Sequence, residues 1–215
     1  MTIDPAPRIV TVDPNVPQPA LIAQAVAVLK AGKPVIFPTD TVYGVGVAVR
    51  EDADSNELYL LKKRDVDKAI PWLIDSTQRL EDFADYLPDY ALRLAQTFWP
   101  GPLTLVVRAA KTVPIQYRAK DGSIALRVPD SPVALALLRA LGAPIATSSA
   151  NPQGEAPPTQ LAALDATLIA GAGLVIDGGV AFVKQPSTIV SCLADEPRLI
   201  RAGALSSEQI AAALG

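Results

Sequence analysis

Apolar residues fall in short runs separated by turn residues, and two periodicities alternate along the chain. Residues 35–37, 69–74, 103–108, 123–128, 145–147, 174–176, 187–191 and 198–201 read as strands. Several are nearly unbroken apolar runs, the pattern of strands covered on both faces. Residues 8–12 predict a short first strand, and 45–49 a strand after a glycine-containing turn. Between them, Leu21, Ile22, Ala25, Val26 and Leu29 recur at helical spacing, predicting a helix over 19–30 that Gly32 stops. Ser55 and Ser76 are candidate caps for two further helices, the second directing Leu80, Phe83 and Leu87 inward. Helices are also predicted over 90–98, ended by Pro100, and from Ser131-Pro132 to Gly142. The last two are predicted over 159–169 and from Ser206.

This irregular alternation predicts an α/β fold with one sheet of mixed strand directions. A length of 215 residues suits one domain, here 18–215. Residues 1–17, interrupted by Pro5, Pro7, Pro14 and Pro17, read as an N-terminal arm. Met1 to Pro7 lacks the basic and apolar regions of a signal peptide, and the uncharged run near 166–176 is too short to span a membrane. The expected localisation is cytoplasmic.

Composition narrows the chemistry. There is no histidine and one cysteine, Cys192. Ser-His-Asp and Cys-His catalysis, a disulfide and a typical zinc site are therefore excluded. The net charge of −3 argues against a surface that grips nucleic acid all over, while leaving room for a local basic pocket. GxGxxG, GxxxxGK[ST] and GxSxG are all missing.

Several segments carry chemistry-bearing residues, and each alone also suits a structural role. Phe37-Pro38-Thr39-Asp40-Thr41-Val42-Tyr43-Gly44-Val45-Gly46 joins two strands with hydroxyls and glycines, as a ligand loop or a plain turn would. Lys62-Lys63-Arg64-Asp65-Val66-Asp67-Lys68 carries a net +2. In an extended chain Lys62 and Arg64 project together, a cation fork for phosphate; a solvated helix end has the same composition. Phe98-Trp99-Pro100-Gly101-Pro102-Leu103-Thr104 reads as a structural corner without a catalytic role. Ser123, Ala125 and Arg127 share one strand face by alternation, lining a cleft or facing water. Ser149 and Asn151 sit in a polar loop beyond a buried strand, where α/β sheets often bind ligands. Ser187 and Arg201 lie beside short strands.

Taken in order, PTDTVYGVG at 38–46, Lys62-x-Arg64, FWPGPLTLVV at 98–107, ALRVP at 125–129 and Ser149-x-Asn151 resemble the YrdC family of threonylcarbamoyl-AMP synthases, from about Ala20 to Ile210. The resemblance implies a twisted open α/β sheet with a deep, basic cleft. It implies a nucleotidyltransferase that joins L-threonine, bicarbonate or CO2, and ATP into threonylcarbamoyl-AMP and pyrophosphate. The product would feed N6-threonylcarbamoyladenosine formation in tRNA through a threonylcarbamoyl-transferase complex. By motif position, Thr41, Arg127, Ser149 and Ser187 would hold L-threonine. Lys62, Arg64, Lys68, Ser123, Asn151, Thr159 and Arg201 would face ATP, with Lys62 and Arg64 as the catalytic clamp. Mg²⁺ would come with ATP and need no dedicated protein site.

Some positions depart from the family pattern. Leu73 stands where many relatives carry a histidine, Lys68 where many carry asparagine, and Gln153 where serine is usual. The chain ends soon after Arg201, so a short form without the extra C-terminal domain of longer relatives is expected. The alternatives are an RNA- or nucleotide-binding paralogue with altered or lost activity, and the related carbamoyl-AMP-forming domain of hydrogenase maturation. The second of these usually brings CxxC zinc motifs that this chain lacks.

Overall fold

The structure, a computed structural model, describes residues 8–50 and 70–215. One mixed sheet organises them. Its strands are β1 (Arg8–Thr11), β2 (Val35–Pro38), β3 (Tyr43–Ala48), β4 (Trp72–Leu73), β5 (Ala84–Tyr86), β6 (Leu103–Ala109), β7 (Ser123–Arg127), β8 (Ile145–Ser149), β9 (Leu174–Asp177), β10 (Thr188–Ser191) and β11 (Arg198–Arg201). The order across the sheet is β1-β9-β2-β3-β8-β4-β7-β6-β10-β11, and β5 pairs with β6 off this path. Parallel pairs (β1/β9, β2/β9, β4/β7, β6/β10) are mixed with antiparallel ones (β2/β3, β3/β8, β4/β8, β6/β7, β10/β11). The mixed α/β expectation is met.

The helices are α1 (Pro19–Lys30), α2 (Leu80–Phe83), α3 (Asp89–Phe98), α4 (Pro132–Leu141), α5 (Ala166–Gly171) and α6 (Ser207–Ala212). Side-chain alternation divides the core between the two sheet faces. Ile36, Trp72, Ala146 and Val175 enter one cluster with α3, while their neighbours Val35, Phe37, Leu73, Ile145, Leu174 and Ile176 enter the other with α1 and α4. This two-sided burial explains the unbroken apolar runs. Leu103, Leu105 and Val107 of β6 belong to the α3 cluster. The intervening Thr104 and Val106 face the opposite side, where they line a cavity.

Most elements lie where the sequence put them, and three differ. The helix expected after Ser76 is a 3₁₀ turn, Thr77–Arg79, and the short α2; Ser76 makes no capping bond. Leu80 and Phe83 are buried as expected, but the chain then becomes β5, because Ala84 pairs with Ala109. The helix expected over 159–169 begins only at Ala166, capped by Asp165, whose carboxylate accepts from the Thr167 and Leu168 N–H groups. Thr159 is not free to start it, since its carbonyl accepts from Ala181 N at 2.8 Å. The strand expected over 69–74 is the two-residue β4. The helix expected after Ser55 lies outside the described residues. β1 lies within the stretch read as an arm, and pairs with β9 while Val10 and Val12 enter the core. Among the described residues no helix is long and apolar enough to cross a membrane.

Candidate active site

A cavity of about 610 Å³ lies across one face of β3, β8, β4, β7, β6, β10 and β11. Its walls come from the segments the sequence singled out. Thr41, Ser123, Arg127, Ser149, Asn151, Ser187 and Arg201 all line it. Thr159 does not; it is partly buried beside the cavity wall formed by Pro157. Lys62, Arg64 and Lys68 fall outside the described residues. Leu73, the residue at the histidine position, lines the cavity as an apolar group.

The loop between β2 and β3 is a tight hairpin. Pro38 pairs with Tyr43, and Thr39 N donates to Val42 O at 3.2 Å. Tyr43 anchors it, its hydroxyl donating to Gly179 O at 2.6 Å. Burial pushes the Tyr43 phenol up to about 12. Gly44 and Gly46 allow β8 to pass close: a Cβ on Gly44 would meet Thr147 Cγ2 at 2.7 Å, and one on Gly46 would meet Ile145 Cγ2 at 2.6 Å. The cap of α4 is tied to the same loop, since Ser131 Oγ donates to Pro38 O at 3.2 Å.

Arg127, at the end of β7, is the centre of the polar cluster. Alternation along β7 places Ser123, Ala125 and Arg127 on the cavity, as the sequence predicts. Arg127 is 6% exposed and its guanidinium makes three bonds of different kinds. Nε donates to Gly101 O at 2.9 Å, NH1 to Thr41 Oγ1 at 2.9 Å and NH2 to Asp40 Oδ1 at 2.5 Å. Burial pulls its pKa below the usual range, while the charge and hydrogen bond of Asp40 oppose the shift. Two of its five N–H donors remain beyond these three bonds, one on each terminal nitrogen.

Two of these partners were missed at the sequence level. Asp40 lies inside the singled-out loop but carried no role. Gly101 belongs to the corner read as structural, and its carbonyl orients Arg127. Both contacts span long stretches of chain, so no local pattern announces them. Thr104, also from that corner, shares a 2.8 Å hydrogen bond with Ser187 Oγ.

The rest of the cavity is held by local bonds. Asp121 accepts from Ser123 N at 3.0 Å and from Ser123 Oγ at 2.6 Å; its carboxyl is held below the usual range, first by the Ser123 hydroxyl. Asn151 Nδ2 donates to Pro152 O at 2.9 Å and Glu155 O at 2.8 Å. Those two carbonyls fix the amide orientation and leave Oδ1 buried with no described partner. Arg201 NH2 donates to Ser187 O at 2.7 Å. Gly203 follows, where a Cβ would lie 2.6 Å from the Ser187 carbonyl. Among the described residues no group of three or more His, Cys, Asp or Glu is placed to hold a metal ion.

The family described as Sua5/YciO/YrdC, telomere recombination, matches residues 27–203. This chain belongs to that family. The threonylcarbamoyl-AMP synthase of Bacillus subtilis is 38% identical over 196 residues, covering 90% of this chain and 56% of the relative. That of Xanthomonas axonopodis pv. citri is 34% identical over 168 residues, covering 77% of this chain and 90% of the relative. The chain thus spans little more than half of one relative and most of the other. The crystal structure of Pyrococcus abyssi Sua5 complexed with L-threonine superposes with a TM-score of 0.86 at 33% identity, covering 96% of this chain and 61% of that one. The Bacillus and Xanthomonas relatives carry synthase names, which favour that reading over the RNA-binding alternative.

Proposed function

We propose that this protein is an L-threonylcarbamoyladenylate synthase, a nucleotidyltransferase working in the cytoplasm. The observation that carries the reading is Arg127. It is buried and oriented on the cavity, with two donors left for a carboxylate beside the Thr41 hydroxyl, in a family whose Pyrococcus abyssi member is described with L-threonine.

In this reading Arg127 takes the carboxylate of L-threonine, with Thr41, Ser149 and Ser187 around its amine and hydroxyl. The amine nitrogen attacks the carbon of CO2 derived from bicarbonate and loses a proton, giving a carbamate. A carbamate oxygen then attacks the α-phosphorus of ATP. The bond from α-phosphorus to the bridging oxygen breaks, and pyrophosphate leaves with that electron pair. These steps need positioning and neutralisation of growing negative charge rather than an imidazole base. Lys62, Arg64, Lys68 and Arg201 supply the cations, with Ser123, Asn151 and Thr159 toward the nucleotide. Magnesium would come with ATP, need no dedicated protein ligands and neutralise phosphate charge. The product is a mixed anhydride, and the partner it implies is a transferase complex that moves the threonylcarbamoyl group to tRNA adenosine.

The test is pyrophosphate release from ATP with bicarbonate and Mg²⁺, with and without L-threonine. Release that requires threonine, and falls at least about a hundredfold in Lys62→Ala or Arg64→Ala, is expected. A folded protein that binds ATP yet shows no threonine-dependent release would exclude the reaction.

A further inference from the structure

The hydrogen bonds around Thr41 have a direction that can be worked out atom by atom. Thr39 Oγ1 lies 2.6 Å from Val42 O, which can only accept, so the single Thr39 hydroxyl proton is committed there. The Thr41 and Val42 N–H groups approach the same oxygen at 3.3 Å each, long contacts that share one of its two lone pairs and leave the other for the nearer Thr41 hydroxyl. The 3.0 Å contact between Thr39 Oγ1 and Thr41 Oγ1 must then be donated by Thr41. Arg127 NH1 donates to Thr41 Oγ1 from the other side at 2.9 Å. With its proton directed at Thr39 and one lone pair taken by Arg127, the Thr41 oxygen has only a lone pair left to offer. Asp40 completes the set by holding Arg127 in place at 2.5 Å. All four side chains are at least nine-tenths buried, and Thr39, Thr41 and Arg127 line the cavity.

We propose that Thr39 is a positioning residue that turns Thr41 into a pure acceptor, so that this part of the cavity selects a ligand with a carboxylate for Arg127 next to a hydrogen-bond donor. The inference rests on the amino-acid-binding reading above and deepens it. Thr39 does not touch the ligand, because its own oxygen is saturated within the loop. A Thr41 hydroxyl free to rotate could serve a donor or an acceptor equally. Fixed by Thr39, it favours the amine or side-chain hydroxyl of L-threonine and disfavours a second anionic group at that place. A purely structural Thr39, stapling the hairpin through its two backbone bonds, would affect both substrates of the cavity alike.

The test is calorimetric binding of L-threonine and, separately, of ATP to wild type, Thr39→Ser and Thr39→Val. Thr39→Ser, which keeps the hydroxyl, is expected to bind L-threonine within about twofold of wild type, and Thr39→Val about tenfold more weakly, with ATP binding unchanged in both. L-2-aminobutyrate, without the hydroxyl, and 3-hydroxybutyrate, without the amine, identify the donor. Whichever group Thr41 receives, its removal weakens binding to wild type but adds little in Thr39→Val. If Thr39→Val does not fold, Thr39→Cys, with its weaker donor, replaces it and the same selective loss is expected. Equal loss of ATP and threonine binding, or threonine binding unchanged in Thr39→Val, would overturn the proposal. Wild type that binds L-threonine but releases no pyrophosphate removes the proposed reaction instead, and wild type that binds none removes both.

Discussion

Two arginines face the same cavity, and they are built in opposite ways. Arg127 sits in the middle of the sheet, buried, with three donors fixed on Gly101 O, Thr41 Oγ1 and Asp40 Oδ1. Arg201 ends the edge strand β11, is exposed, and holds the Ser187 carbonyl at 2.7 Å. The first is oriented before any ligand arrives, with its charge largely balanced by Asp40. Its value lies in geometry: a fixed fork loses little entropy on receiving a carboxylate. The second keeps its charge in a solvent-accessible place, where attraction is longer in range but screened by salt. The proposed reaction, with an amino acid and a triphosphate as substrates, has use for both, a rigid reader of one small group and a cationic edge for a large anion.

The comparison breaks most sharply at Arg127. Replacing it by Met leaves the Asp40 carboxylate buried without its counter-charge, and Asp40 Oδ2 has no described partner even now. Loss of one member of a buried pair costs about 3–5 kcal/mol. Arg127→Met should therefore lose that much in urea unfolding, together with threonine-dependent turnover. Combining it with Asp40→Asn should restore part of the stability and none of the turnover. Losses that simply add in the double variant would show that the two side chains are not coupled, and that the rigidity attributed to Arg127 comes from elsewhere.

How much of this contrast was legible beforehand depends on the distance over which each contact forms. Local features read well. The helix over 19–30, the Ser131-Pro132 start of α4 and the shared face of Ser123, Ala125 and Arg127 follow from spacing and caps that act within a few residues. The start of α5 was misread because Asp165 and Thr159 are both competent caps. What decides between them is the bond from Ala181 N to the Thr159 carbonyl, which depends on pairing across the fold. Asp40 and Gly101 were missed for the same reason. Each meets Arg127 only once β2, β7 and the corner before β6 are brought together. The motif showed that the loop matters, and the folded geometry shows which of its oxygens faces which proton.

Arg201 gives the next largest effect, on binding rather than on stability. Hydrogen bonds made by an exposed arginine contribute little to folding, so Arg201→Ala should shift unfolding by less than about 1 kcal/mol. If its charge serves the nucleotide, ATP affinity should fall roughly tenfold. The deficit should shrink as sodium chloride rises, because screening removes the advantage from wild type. Threonine affinity of the Arg127 site should change little over the same salt range. A salt-independent Arg201→Ala deficit would make its role the placement of Ser187, and the two arginines would then be alike in function as well as in type.

The smallest effects lie in two tyrosines that anchor the neighbourhoods of these arginines. Tyr43 holds the Thr39–Thr41 loop by donating to Gly179 O at 2.6 Å, and Tyr90 holds the turn before β11 by donating to Ala194 O at 2.6 Å. Burial pushes both phenols from 10.0 up to about 12, and pushes the Cys192 thiol from 9.0 up to about 12. In the unfolded chain these groups ionise first, so between the unfolded and folded values the native state binds more protons. Their contribution is fully present at neutral pH and is lost as pH rises from about 9 towards 12. Tyr43→Phe and Tyr90→Phe should each cost about 1 kcal/mol or less at neutral pH and flatten the alkaline fall measured by urea midpoints. The binding readouts should separate: Tyr43→Phe should weaken L-threonine more than ATP, and Tyr90→Phe the reverse. If both variants weaken both ligands equally, the cavity responds as one rigid unit, and the division between a fixed centre and a charged edge disappears.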